Sequence, residues 1–246
     1  MDYAKLLEQD PYSMDRREKT RVMTEGLLEL TEHHRSRCED YRRIVDGLGY
    51  DPKNIRDYYD IPMMPVRLFK ERELKSINDD QIFKTMTSSG TTGQQVSKIF
   101  LDEQTAANQQ LTLAKIVGSY TGKSRLPMII IDCPPVIRNR AMFSARGAGI
   151  LGFSIFGSRR IYALDDDMNL NIDGIREFLE KHKGERILLF GFTFMIWQYF
   201  YRELLKLSEP LDLSNAILIH GGGWKKLQNE AVSKEEFKAR LREVCG

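Results

Sequence analysis

The sequence lacks most of the features that would commit it to an unusual setting. Only three of its 246 residues are cysteine. Cys38, Cys133 and Cys245 are odd in number and far apart, which argues against a disulfide framework and for a reducing compartment. Long apolar runs are missing too. The greasiest stretch, Ile187 to Tyr201, falls short of the about 20 residues that cross a bilayer, and "MDYAKLLEQDPYSMDRREKT" at the N-terminus has no signal-peptide core. A cytoplasmic protein without a membrane span is expected. Neither sign of charge dominates: 37 Lys and Arg face 35 Asp and Glu, a formal +2, so no net field draws the chain to nucleic acid or anionic lipid. Internal repeats and low-complexity tracts are absent, which excludes solenoids and disordered arms.

With 41% hydrophobic residues the chain can bury one large core or two modest ones. From Ser13 to Gly49 apolar residues such as Cys38, Tyr41, Val45 and Leu48 recur at helical steps in a charged background. Pro62 and Pro65 then mark a connector, because each disfavours helix in the residue before it. Beyond it, "QIFKTM" and "SKIFLD" read as strands flanking a polar loop. After them come "PMIIIDC", "RRIYAL", "RILLFG" and "NAILIHGGG", alternating with helical patterns through "IDGIREFLEKH", residues 193–207 and "KEEFKARLREV". Strands separated by such helices predict an α/β domain with a largely parallel sheet. The expected organisation is a helical segment at 1–50, a connector at 51–80 and an α/β region at 81–246.

Two segments ask to be read as phosphate loops. "GSYTGKS", Gly118 to Ser124, is one residue short of a Walker A loop and lies between a helix and a strand, so a helix C-terminal turn is the expectation. "TSSGTTGQQVSK" has five hydroxyl residues between Thr87 and Gly93 and two glycines that let backbone amides approach a ligand. Lys98 adds a point charge at its far edge. A plain Ser/Gly hairpin has the same composition, so the order of residues decides between them. No stretch has the spacing of a metal site: His33, His34 and Cys38 read as a solvated helix face, and "DDDMN" at 165–169 as a polar loop.

"SSGTTG" resembles the phosphate-loop signature of the adenylate-forming superfamily. Followed by "SK" and a strand, and together with "FSARGAGILGF" and "ILIHGGGWKKL", it is similar to the LuxE-type acyl-protein synthetases. The usual proline after the second glycine is missing, and the lysine comes two places late. The resemblance implies the fold of the large N-terminal domain of adenylate-forming enzymes, here incomplete. It implies ATP and Mg²⁺ as cofactors, with Ser88, Ser89, Gly90, Thr91, Thr92, Gly93 and Lys98 cradling the β- and γ-phosphates. Gly221, Gly222 and Gly223 would wall the adenine pocket, and Phe192, Phe194 and Trp197 would line the acyl chain, although an aromatic cluster is by default core. The "FSARGAG" segment and Arg146 receive no role.

The implied reaction activates a fatty carboxylate as acyl-adenylate and passes the acyl group to a protein thiol that supplies a fatty acid reductase. The acceptor cysteine and the family's later ATP motifs are expected beyond Gly246, so the chain reads as an N-terminal fragment or truncated product, and Cys245 reads as a packed thiol. A phenylacetate-CoA-ligase-like acyl-CoA or acyl-carrier ligase shares the first half-reaction. A non-catalytic binding module that keeps the fold is the reading from another class.

Overall fold

The computed structural model describes residues 3–87, 95–122, 125–138 and 145–246. The chain divides into two compact units, Met1–Ser119 and Tyr120–Gly246.

In the first unit, α1 (Tyr3–Glu8), α2 (Arg16–Arg37) and α3 (Glu39–Gly47) are followed by the short α4 (Leu68–Glu71), the strands β1 (Lys84–Thr87) and β2 (Lys98–Leu101), and α5 (Glu103–Thr121), which ends just past the division. Asp15 starts α2 by accepting the amide of Glu18 at 2.8 Å, satisfying one of the amides a helix start leaves without a partner. The helical pattern read across 13–49 is two helices, because Cys38 takes extended backbone angles between α2 and α3. β1 and β2 form the expected antiparallel hairpin, Lys84 opposite Leu101 and Thr87 opposite Lys98. Asp102 caps α5 through the amide of Thr105 at 2.7 Å. Gly122 just beyond that helix has a φ of 81°, the left-handed turn that ends helices, which accounts for the second Walker-like glycine, while the first, Gly118, lies inside α5.

The second unit holds a parallel sheet of β3 (Leu126–Ile131), β4 (Gly157–Tyr162), β5 (Ile187–Phe192) and β6 (Ala216–Gly221) in the order β4-β3-β5-β6. The helices between and after them are α6 (Pro135–Arg138), α7 (Ala145–Phe153), α8 (Ile172–Lys181), α9 (residues 193–204) and α10 (Lys234–Cys245). The α/β class and parallel sheet expected from the sequence are present. β3 and β5 read as unbroken apolar runs because both faces of the sheet are covered. Their residues alternate accordingly: Ile129, Ile131 and Leu189 pack with α8, α9 and α10, while Met128, Ile130, Leu188 and Phe190 pack with α6 and α7. Within α9 the turns from Ile196 to Tyr201 are π-helical, which bring Trp197, Phe200 and Tyr201 into the larger core.

Candidate functional site

The strand order places a reversal beside β3. The chain leaves β3 for β4 on one side and leaves β5 for β6 on the other, so the crevice beyond the carboxyl ends of β3 and β5 is the switch point where open α/β sheets bind ligands. The residues there are Asp132 and Cys133 after β3, Phe192 and Thr193 at the end of β5, and Gly221 to Gly223 at the end of β6.

Asp132 is wholly buried. Its Oδ1 accepts the amide of Cys133 at 2.8 Å, and its Oδ2 lies 3.0 Å from Nε of Arg146 in the first turn of α7. The contact is an ion pair rather than a hydrogen bond, since the N–H is not aligned on the oxygen. Burial pushes the Asp132 carboxyl above its ordinary range, and the Cys133 amide and Arg146 oppose that shift without cancelling it. The neighbouring Cys133 thiol is pushed up by burial and by the Asp132 charge, so it is no ready nucleophile. Arg146 also donates from Nη1 to the sulfur of Met195 at 3.4 Å, which ties the start of α7 to α9.

Thr193 fixes the other side. Its hydroxyl is 3.1 Å from Nδ1 of His220, 3.2 Å from the carbonyl oxygen of Gly221 and 3.3 Å from that of Gly222, so one side chain from α9 holds the turn after β6. Gly222 has a φ of 74°, and a Cβ there would stand 3.0 Å from the ring of Phe192. A Cβ on Gly149 would stand 2.8 Å from Cζ of the same ring. The Phe192 ring therefore favours glycine at both positions, which gives Gly149 of "FSARGAG" a physical reason that the sequence left open. Gly221 and Gly223 differ: among the described residues, chain neighbours aside, no atom lies within 4 Å of where their Cβ would be.

A family model described as "Acyl-protein synthetase, LuxE" matches residues 2–246. The chain belongs to the LuxE acyl-protein synthetase family. It is similar to the long-chain-fatty-acid–luciferin-component ligases of Vibrio harveyi, with 23% identity over 87% of this chain and 56% of that protein, and of Aliivibrio fischeri, with 22% over 92% and 59%. The protein of the same name from Photorhabdus luminescens is 31% identical over 36% of this chain and 75% of its own length. The chain spans just over half the length of the Vibrio and Aliivibrio relatives.

The remaining expected site residues of this LuxE-family chain fall in different places. Ser88, Ser89, Gly90, Thr91, Thr92 and Gly93 lie outside the described residues. Lys98 begins β2, exposed and opposite Thr87. Phe192 and Gly222 are brought into contact, as above. Phe194 is half-buried with the Lys225 ammonium 4.9 Å from its ring centroid. Trp197 is 7% exposed and packs against Tyr201, Trp224 and Phe237, so its ring is committed to the core. Cys245 is buried, its thiol donates to the carbonyl of Leu241 at 3.1 Å, and burial pushes its pKa up to about 11.

Asp132 and Thr193 were missed by pattern reading. Their signal is a single polar residue at the carboxyl end of a wholly apolar strand, in "PMIIID" and "ILLFGFT".

Proposed function

We propose that the chain takes part in ATP-dependent activation of a long-chain fatty carboxylate. A carboxylate oxygen attacks the α-phosphorus of ATP, the bond to pyrophosphate breaks, and the acyl-adenylate carries a leaving group that a thiol displaces with release of AMP. The acceptor is a protein thiol, from which the acyl group passes to a reductase partner. The names of the relatives supply the substrate class. Three thiols kept buried and unpaired fit a cytoplasmic setting, and among the described residues no helix is long and apolar enough to cross a membrane.

The observation that carries the reading is the empty space beside Gly221 and Gly223 at the carboxyl edge of the sheet. Any side chain there would fill volume next to the switch point, and a flat purine fits against bare backbone. Gly222 serves the turn itself. Arg146, oriented by Asp132, supplies positive charge at the same edge for the reacting anions. Phe192 and Phe194 offer apolar surface to the first carbons of the acyl chain, while Trp197 supports them from the core. The Ser88–Gly93 loop with Lys98 holds the phosphate tail through amides, hydroxyls and the ammonium, and Mg²⁺ neutralises that tail when bound.

Exchange of labelled pyrophosphate into ATP, dependent on added fatty acid, tests the proposal. In a protein of the relatives' full length that carries this chain, exchange is expected, and Gly221→Val should lose most of it while melting at the native temperature. Such a protein that shows no fatty-acid-dependent exchange overturns the reading. Label from a radioactive fatty acid that collects on coenzyme A instead of on protein moves the acceptor to the phenylacetate-CoA-ligase type.

A further inference from the structure

The first unit contains a second feature that the activation chemistry does not use. Between α1, α2 and α5 runs a groove of about 600 Å³, walled by Leu7, Val22, Met23, Leu27, Leu30 and Ile116. The Tyr3 hydroxyl pins α1 across it through the hydroxyl of Thr112, with the carbonyl of Asn108 at 3.4 Å. Met23, Leu30 and Ile116 remain 40%, 45% and 37% exposed, so these helices leave apolar surface facing the groove that the described residues do not cover. Gly26, buried in the middle of α2, contributes a floor without a side chain, an unfavourable choice inside a 22-residue helix unless the space is used.

The charges on the groove are unequal. Lys19 and Lys115 line it, both exposed and neither in an ion pair among the described residues, against the single carboxylate Asp10. Size narrows the occupant further. A helix about 10 Å across displaces about 400 Å³ per turn, so a protein helix would seat little more than one turn here. The volume lies within the about 300–1,000 Å³ of small-molecule sites. A thin hydrocarbon chain ending in one anion matches both the walls and the charge.

We propose that this groove binds one free long-chain fatty carboxylate, its tail along α2 and its carboxylate at Lys115 and Lys19. None of its residues belongs to the carboxyl edge of the sheet, so the site is additional to the activation site and stands without it.

Calorimetric titration of the native chain without ATP, using octanoate to tetradecanoate below their micelle concentrations, tests the proposal. Affinity is expected to rise about fourfold per added methylene, the increment set by the transfer of each CH₂ from water. The methyl ester of tetradecanoate should bind about two- to fivefold more weakly than the acid, and Lys115→Glu should weaken the acid but not the ester. Gly26→Leu, which favours the helix while filling the floor, and Met23→Glu, on an exposed face, should each lower the stoichiometry by one bound fatty acid per chain with circular dichroism unchanged. Affinity independent of chain length, equal binding of acid and ester, or native affinity in both groove variants would overturn it. So would association with phosphatidylcholine vesicles without binding of the monomeric acids. Because pyrophosphate exchange is measured separately, exchange with a fatty-acid stoichiometry that the groove variants leave unchanged sinks this site alone, and a stoichiometry that they lower in a protein without exchange sinks the activation reading alone.

Discussion

The two units of this chain use burial very differently. Among the described residues, the first unit buries Cys38, Val45, Tyr50, Leu101 and Val117 as its apolar interior, and in the long helix α2 only Gly26 and Thr31 are buried. The second unit places the central strands β3 and β5 and the helices packed on them in dense clusters, with Met128, Ile130, Leu188, Ile196 and Phe200 at 1% exposure or less. The difference teaches what each is suited to do. A parallel sheet covered on both faces fixes the residues at its carboxyl edge rigidly, which suits the positioning of reacting groups. Helices held by caps and surface ion pairs leave apolar side chains half exposed, which suits a surface that something else completes.

The sharpest way to break the comparison is to truncate one apolar residue in each unit. Phe200→Ala is expected to cost about 3–5 kcal/mol, because a cavity opens in a close-packed core, whereas Leu30→Ala should stay within about 0.5 kcal/mol. Urea denaturation midpoints measure both, and comparable losses would show that the first unit is packed as tightly as the second.

Ion pairs make the next contrast. Arg146→Met leaves Asp132 buried without its cation, and a loss of about 3–5 kcal/mol is expected at neutral pH. In the helical unit, Arg42→Ala removes an exposed pair with Glu39 and should leave the midpoint almost unmoved. The pH dependence has a definite sign. Asp132 has a folded pKa raised above its unfolded value, so the folded chain holds the proton more tightly, and its contribution is intact below the ordinary carboxyl pKa and lost as pH rises through the folded one. Arg146→Met should therefore be closest to native at acid pH and furthest from it at neutral pH. Adding Asp132→Asn should flatten that profile and recover most of the loss in thermal melts recorded across the range.

The glycines at the sheet edge sharpen the comparison within the second unit. Gly222→Ala meets both a left-handed backbone and the Phe192 ring, and about 1–3 kcal/mol of stability should be lost. Gly221→Ala and Gly223→Ala enter open space, so melting should hold within a degree or two of native while affinity for a nucleotide analogue falls. Equal thermal effects at all three positions would remove the distinction between turn and pocket. The smallest effect belongs to the first unit. Asp15→Ala deletes the cap of α2 and should cost about 1 kcal/mol, read as lost helical signal and an earlier midpoint.

Much of the fold was legible in the residues. The strand runs, the Asp102 cap, the helix end at Gly122 and the parallel sheet all follow from local rules of period, capping and φ, which operate over a few neighbours. Cys38 was not legible as a break between two helices, because no proline or glycine marks its extended backbone. The hydroxyl-rich loop was legible as a motif, and it lies outside the described residues.

By itself, then, the sequence determined the class of fold, the family and the order of its elements, since these rest on side-chain period and on motifs read along the chain. Only the tertiary structure decided which glycine does what. Gly149 and Gly222 lie far apart in the chain and meet at one phenylalanine ring, while among the described residues nothing crowds Gly221 or Gly223. The pairing of Asp132 with Arg146 was likewise decided there, because a buried charge finds its partner through distance in space and the strand order that sets that distance is not written in either residue.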